Sequence, residues 1–434
     1  MQPTVAILTL GCKVNQYESE AIAEAFAKEG FCVCPPERPC DVYVLNTCTV
    51  TAESDRKAGQ LIRRVHAQNE QALILVTGCF SQAAPEAVAA LPFVDYVCGN
   101  TEKLSVVRVA CELLQKGRGD APLLAIDDVQ AADFEPMCIT RFDRTRAYVK
   151  IEDGCENRCS YCAIPGARGR VRSKPLADVV REVEGLVRGG CREVVLTGIE
   201  TASYGRDLDG TTLVDLLEAV DRIEGLERVR LGSLEPTVMK PDFVERIAKL
   251  RTLTPHFHLS MQSGSARVLA AMKRRYNPVQ AMEGIRRLRA AIPDVELTTD
   301  FIVGFPGESE EDFAATMAFA REAEFLQMHV FTYSKRPGTL AATMKEQLPK
   351  AVKKARSAAL IALGNELRDK RLARALLTPL REVLFETFEN GVAVGHTKEF
   401  FEVAMESDRP LHGEVCRVIL CEVRDHRLLA TPER

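Results

Sequence analysis

The chain has 434 residues, 46% of them hydrophobic and 27% charged, with a formal net charge of −4. That length exceeds one hydrophobic core and predicts two or three domains, while the charge balance excludes a protein that grips polyanions through bulk charge. Fifteen cysteines without an export signal argue against a disulfide framework and point to metal ligation or catalysis for those that cluster. No leader and no run of membrane-spanning length is visible, so a cytoplasmic location and no membrane partner are expected.

The first hundred residues alternate strand and helix patterns, with strands at 5–10, 41–46, 72–77 and 94–98 and helices at 16–29, 52–68 and 83–90. This predicts an open parallel α/β domain over residues 1–116. In VAILTLGCKVNQYESEAIAEAF, Cys12 stands at the first strand–helix turn, where a nucleotide-binding protein would place a glycine-rich loop. Asn15-x-x-Glu18 reads as a helix cap satisfying backbone amides. Cys48 and Cys79 close the second and third strong strands, so all three thiols stand at carboxyl ends facing one crevice. From spacing alone, a joint role and ordinary burial are both open. Cys32, Cys34, Cys98, Cys111, Cys138, Cys191, Cys416 and Cys421 read as small buried hydrophobes, and Cys40 as a loop residue without a partner.

A polar connector spans 117–144. A second α/β series follows over 145–349, with strands at 147–152, 193–197, 229–232, 256–261, 295–303 and 326–331 separated by helical patterns. Six βα units predict a barrel or partial barrel with its working residues at the carboxyl ends of the strands. A basic linker helix covers 350–375, and the short strands of 376–434 predict a small antiparallel β-barrel. The runs Arg168, Arg170, Arg172, Lys174; Lys273–Arg275; and Arg368–Arg374 each read as a solvated face unless they meet nucleic acid.

The strongest motif is EDGCENRCSYCAIPGARG, in which Cys155, Cys159 and Cys162 are spaced C-x3-C-x2-C directly after the first strand of the second series. A structural zinc site wants four ligands, and no histidine lies nearby in sequence. Three cysteines on an iron–sulfur cube instead leave one iron open to a small molecule. Further segments end the later strands: LTGIETASYG (Gly198, Glu200), LGSLEP (Ser233, Glu235), HLSMQSGS (Ser260, Gln262, Ser263), TDFIVGFPGES (Asp300, Gly304) and HVFTYSKRPGT (Tyr333, Arg336). Their order and placement suit a barrel mouth.

This loop and series resemble the radical S-adenosylmethionine (SAM) enzymes. GCKVNQYES, LNTCTVT and TGC ahead of it resemble the N-terminal domain of the methylthiotransferases, and the last barrel resembles their OB-like RNA-binding TRAM module. The resemblance implies two 4Fe-4S clusters, one on Cys155, Cys159 and Cys162 and an auxiliary one on Cys12, Cys48 and Cys79. It implies SAM contacts from Gly198, Glu200, Ser233, Glu235, Ser260, Gln262 and Gly304. Substrate contacts are expected from Arg168, Arg170, Tyr333 and Arg336, with Arg336 as a bidentate partner for a carboxylate. Phe385, Phe388, Phe400 and Phe401 are expected to fill the last barrel or stack on bases. Lys13 and Val14 make GCKVNQYES similar to the branch that methylthiolates C2 of N6-threonylcarbamoyladenosine at position 37, beside the tRNA anticodon. That implies two SAM molecules, a tRNA anticodon stem-loop and an external low-potential electron donor. The alternatives are isopentenyladenosine, a ribosomal-protein aspartate, or a non-catalytic iron–sulfur RNA-binding protein.

Overall fold

A computed structural model describes residues 2–142 and 144–433. The N-terminal sheet is parallel throughout, in the order Cys32–Val33, Thr4–Thr9, Val42–Thr47, Leu73–Gly78, Tyr96–Cys98, Leu123–Ala125. Its two central strands, VYVLNT and LILVTG, are buried at every position, as strands covered on both faces must be. Alternate side chains serve opposite cores. Val42 and Val44 meet Ile22 and Phe26 of the helix Lys13–Lys28, whereas Tyr43 and Leu45 meet Ile62 and Val65 of the helix Ala52–Gln68.

Two expectations fail here. The stretch after residue 116 is not a bare connector: Leu123–Ala125 adds the sixth strand, and Val129, Met137 and Ile139 are buried. Its charged flanks hid so short a strand, and the helix Ser105–Lys116 before it also went unread. Nor do Asn15 and Glu18 cap a helix. The first helix starts at Lys13 with Cys12 as its cap residue, so both side chains lie inside it and are buried.

The second unit has six parallel strands. Ala147–Lys150, Glu193–Thr197 and Arg228–Leu231 form one sheet, and His256–Gln262, Glu296–Val303 and Gln327–Thr332 another. Bridges Val229–Leu253 and Leu234–Leu259 join them into a partial barrel. Val149, Val194, Leu196, Val229, Phe257, Leu259, Leu297 and Phe301 point outward into the helical shell. Their alternates, among them Lys150, Glu193, Arg230, His256, His258 and Asp300, therefore line the interior. A closed barrel would fill that interior with branched apolar side chains. This one keeps a polar lumen. Tyr17 and Ala21 of the first helix join the outer core, which sets the N-terminal domain against the partial barrel.

The helix Lys350–Ala375 lays Leu360, Leu363 and Leu367 on this core and leads to five strands that close a small barrel. Its pairings are antiparallel except Glu402–Glu406 with Arg427–Pro432. Phe385 and Phe401 fill it, and Phe388 lies partly buried against the same core. Phe400 is different: at φ 79° it stacks on His256 at 4.4 Å and His396 at 4.7 Å, beneath Arg230 at 5.0 Å. Arg228 and Arg230 reach carbonyls of Glu382, His396, Thr397 and Lys398. Because Arg228 and His256 begin their strands, the small barrel covers the end of the partial barrel opposite the cysteine loop. Among the described residues, no helix is long and apolar enough to cross a membrane.

Candidate active site at the meeting of the domains

The C-x3-C-x2-C loop leaves its strand through Gly154, whose φ of 88° suits glycine and whose Cβ would lie 1.8 Å from the carbonyl oxygen of Arg170. The loop is pinned at several points. Cys155 N–H donates to Gly169 O at 2.9 Å, and Ser160 donates to Met272 O and Ala271 O at 3.0 and 2.8 Å. Arg274 Nη1 approaches Cys159 Sγ at 3.3 Å while the same guanidinium pairs with Glu235 at 3.2 Å. Burial pushes the Cys155 thiol up to about 12 and Cys162 to about 11. Such thiols stay protonated near neutrality, and a bound metal centre would make them thiolates.

Gly198, Glu200, Ser233, Glu235, Ser260, Gln262 and Gly304 all lie at carboxyl ends of parallel strands, on the side of this loop. Ser260 O accepts from Arg274, the guanidinium that touches Cys159. Glu152 accepts the Glu200 amide at 2.9 Å, and Asn157 of the cysteine loop donates to Glu200 at 3.3 Å. Yet Glu152 Oε1, Asn157 Oδ1 and Glu200 Oε1 are buried and unpartnered. Burial first, then Glu235, pushes Glu200 up to about 7. Orphaned acceptors cost about 1–3 kcal/mol each, so three side by side fit a ligand that brings amino and hydroxyl donors.

The N-terminal triad sits at the ends of three adjacent strands. Gly78, at φ 103°, lets the third strand close on the second: a Cβ there would lie 2.4 Å from Thr47 O. Cys12 is reached by solvent, whereas Cys48 and Cys79 are buried. Burial, then the neighbouring Cys79, pushes Cys48 up to about 12, with Cys12 adding to the effect. Cys79 acts electrostatically on Cys162 as well, so the two triads are neighbours. Among the described residues, the set whose ligand atoms fall within 4.8 Å of one another is His258, Asp300 and His329.

Between the triads lies an ion cluster that the sequence did not announce. Glu18, at 0% exposure, pairs with Arg168 at 2.5 Å, Lys150 at 2.9 Å and Lys103. Burial opposes its charge, but Arg168, Lys103 and Lys150 outweigh it and hold the carboxylate well below its ordinary value. Asp153 joins through Lys150 at 2.7 Å and Arg168 at 3.2 Å.

The four expected substrate contacts are engaged elsewhere. Arg168 is fully buried in this cluster, so it faces no substrate. Arg170 reaches back to Gln130 O, Ala132 O and Asp133. Arg336 is buried and spends Nη2 on Thr49 at 2.6 Å and Asp55 at 2.7 Å, tying the partial barrel to the N-terminal domain. Tyr333 packs edge-on against Phe305, beneath Lys353. Each basic residue sits near the mouth, but its charge is already matched by protein. Among the other cysteines, Cys98 and Cys191 are buried as expected, while Cys32, Cys138 and Cys421 are exposed and Cys40 is buried. The period-2 pattern cannot say which face of a two-residue edge strand is covered.

Sequence reasoning missed Glu18, Lys103, Lys150 and Arg274. A charged residue on the apolar face of the first helix was the available sign of Glu18. Within the lumen, His258 Nε2 lies 3.2 Å from Asp300, with His329 on the adjoining strand. Lys13 feels this group electrostatically: burial, then Arg146 and Arg230, pull it below its ordinary value, while Cys12 and Asp300 favour its charge. Its side chain is open to solvent.

Residues 149–320 match the Radical SAM superfamily, and residues 4–99 match a family described as Uncharacterized protein family UPF0004. The chain is 38% identical over 422 residues to the Threonylcarbamoyladenosine tRNA methylthiotransferase MtaB of Bacillus subtilis, covering 96% of this chain and 93% of the relative. It is 34% identical over 432 residues to the tRNA-2-methylthio-N(6)-dimethylallyladenosine synthase of Clostridium botulinum, covering 97% and 95%. Among solved structures, the radical S-adenosylmethionine methyltransferase TsrM of Kitasatospora setae, with tryptophan and a SAM analog bound, shares the fold at a TM-score of 0.59. There the identity is 17%, covering 78% of this chain and 75% of that one.

Proposed function

Since the chain belongs to the radical SAM tRNA methylthiotransferase family, we propose that its substrate is N6-threonylcarbamoyladenosine at position 37 of tRNA, and that C2 of that base receives the methylthio group. The observation that carries this reading is the adjacency of two cysteine triads flanking one buried ion cluster. Aromatic C–H bonds resist nucleophiles and acids, so sulfur insertion at C2 needs a radical centre and a sulfur source side by side.

Cys155, Cys159 and Cys162 would hold one 4Fe-4S cluster, and Cys12, Cys48 and Cys79 the other. When bound, the first supplies reductive cleavage of SAM and the second the sulfur, with one SAM molecule consumed at each task. The chain's own work is binding and orientation. Arg274 steadies Cys159 and Glu235 together, and Glu152, Asn157 and Glu200 would offer their unpartnered oxygens to the donors of SAM. Gly198, Ser233, Ser260, Gln262 and Gly304 shape the strand ends around it. Arg336–Asp55 and Arg168–Glu18 hold the N-terminal domain across the mouth. An external low-potential donor supplies electrons, and the C-terminal barrel grips the anticodon stem-loop.

The dimethylallyladenosine relative supports a second reading, the same reaction on an apolar side chain. The lumen favours the first, since His258, Asp300 and His329 make it polar. Mass spectrometry of tRNA nucleosides from a deletion strain decides. Loss of the methylthio form of threonylcarbamoyladenosine supports the proposal. Loss of the isopentenyl form, or of neither, overturns it. A purely RNA-binding role would leave purified protein unable to release 5′-deoxyadenosine from SAM under anaerobic reduction.

A further inference from the structure

We propose that the groove between the start of the helix Lys350–Ala375 and the end of the strand Gln327–Thr332 is a phosphodiester-binding site, which holds RNA backbone beside the target base. The proposal deepens the reading above, and it rests on RNA being the substrate rather than on which adenosine is modified.

The groove encloses about 620 Å³, with Lys350, Lys353, Lys354 and Ser357 on the helix side and Thr332 and Tyr333 on the strand side. The helix residues recur at spacings of three and four, so they share one face. No acidic residue lines the groove. Among the described residues, none of the three ammonium groups has a carboxylate in ion-pair reach, whereas the nearby acids are committed: Glu308 and Glu310 pair with Arg356 at 2.7 and 2.6 Å. Lys353 donates to Tyr333 O at 3.1 Å and lies 4.8 Å from the centre of that ring, and burial pulls it below its ordinary value. The hydroxyls of Ser357 and Thr332 sit among these cations, which is the donor mixture that phosphate oxygens take. Nine residues line the groove, far fewer than the roughly 20–30 that a protein partner covers, so the fit is to a backbone strand rather than to an acidic protein.

These lysines do not serve the helix. It starts on Pro349 without a side-chain cap, and its first turn holds no acid. Cations at that end oppose the helix macrodipole, whereas an anion bound there is favoured both by the lysines and by the helix start. The groove is also in the right place. Its strand pairs with Glu296–Val303 on one flank and ends the sheet, so it forms the free edge of the partial barrel. Thr332 and Tyr333 stand at the carboxyl end of that strand, the end on which the cysteine loop lies. Gly304 ends the neighbouring strand at φ 72°, and a Cβ there would collide with Lys353 Cγ. Lys353 therefore packs on a residue expected to contact SAM. RNA backbone that follows the lysines runs along the rim of the mouth.

The test measures binding of a fluorescent anticodon stem-loop to reconstituted holoenzyme over a range of KCl concentrations. Lys350→Gln with Lys354→Gln should flatten the slope of log affinity against log salt by about 1.5, since each phosphate contact contributes roughly 0.7–0.9. The flattening should be equal for unmodified and threonylcarbamoyl stem-loops, because phosphate contacts carry no base identity. Lys350→Arg with Lys354→Arg should keep the wild-type slope. A matched pair, Lys28→Gln with Lys240→Gln, removes two exposed lysines elsewhere and should also keep it. Thermal unfolding and iron content equal to wild type show that the glutamine pair is folded; if either falls, Lys354→Gln alone, expected to flatten the slope by about 0.8, decides. A glutamine pair with the wild-type slope, or a matched pair that flattens it as much, overturns the inference. So does a wild-type slope combined with slower cluster reduction by an acidic flavodoxin, which would assign the face to a protein donor. Failure of the parent reading shows separately, as unchanged methylthio-threonylcarbamoyladenosine in the deletion strain.

Discussion

The Nε of Arg168 lies 3.1 Å from Cys79 Sγ, although Arg168 belongs to the loop that carries Cys155, Cys159 and Cys162. One guanidinium thus leaves one cysteine motif and touches a sulfur of the other. Its Nη1 ends on Glu18 and Asp153, so its charge is matched at 0% exposure. Removing one member of such a buried set leaves the others uncompensated, which costs about 3–5 kcal/mol. Arg168→Met should lower unfolding free energy by that order in chemical denaturation. Adding Glu18→Gln should cost less than the sum of the two single losses, because the two side chains share one ion pair while Lys103 and Lys150 also depend on Glu18. Losses that simply add would refute the pairing.

Separate triads predict separable iron. Replacing Cys155, Cys159 and Cys162 with alanine should leave about four irons per chain of the roughly eight expected for two cubes. It should also abolish 5′-deoxyadenosine formation. Replacing Cys12, Cys48 and Cys79 should likewise leave about four irons, but with SAM cleavage retained. Colorimetric iron assay of anaerobically reconstituted protein, with chromatography of the nucleoside product, checks both. Complete loss of iron in either triple variant would show that the triads share one centre.

These cysteines were legible because each triad is announced by glycine and strand-end position, features that a linear sequence displays. The six-strand series was legible for the same reason, since apolar alternation survives without knowledge of partners. What could not be read is where charges pair across domains. Arg168 and Arg336 look like free cations in sequence, and only docking supplies Glu18 and Asp55 from far away in the chain. Asn15 and Glu18 match a capping pattern, but their side chains find better partners in Asn46, Arg168 and Lys103 once the helix is buried. Tertiary burial overrode a local signal.

Phe400 gives a test of how the small barrel is fastened. Its positive φ strains a non-glycine residue, and its ring contacts His256, His396 and Arg230. Phe400→Ala should destabilise by about 2–3 kcal/mol through lost packing and cation–π contact. Phe400→Gly removes the same ring but relieves the backbone, and should be about 1 kcal/mol more stable than Phe400→Ala. Thermal unfolding of the pair checks the order. Glycine below alanine would mean that the strained backbone is not what the side chain offsets.

The acid side of the stability curve should report the same interface through Glu386. Burial disfavours its charge, but the His396 hydrogen bond and the Arg146 charge outweigh burial and bring the carboxyl down to about 2. Both contacts are at 2.6 Å, and Arg146 belongs to the partial barrel rather than to Glu386's own strand. An unfolded glutamate titrates near about 4.3. Because the folded value is depressed, the stabilisation is fully present above about pH 4.3 and is lost as pH falls toward about 2. With Glu386 still partly exposed, the contribution is at most about 3 kcal/mol and solvent screening reduces it. Glu386→Gln should therefore destabilise the protein at neutral pH, and the gap to wild type should narrow steadily below about pH 4. Urea unfolding midpoints between pH 7 and pH 3 measure it. A gap that stays constant over that range would show that the Glu386 charge contributes nothing to holding the small barrel in place.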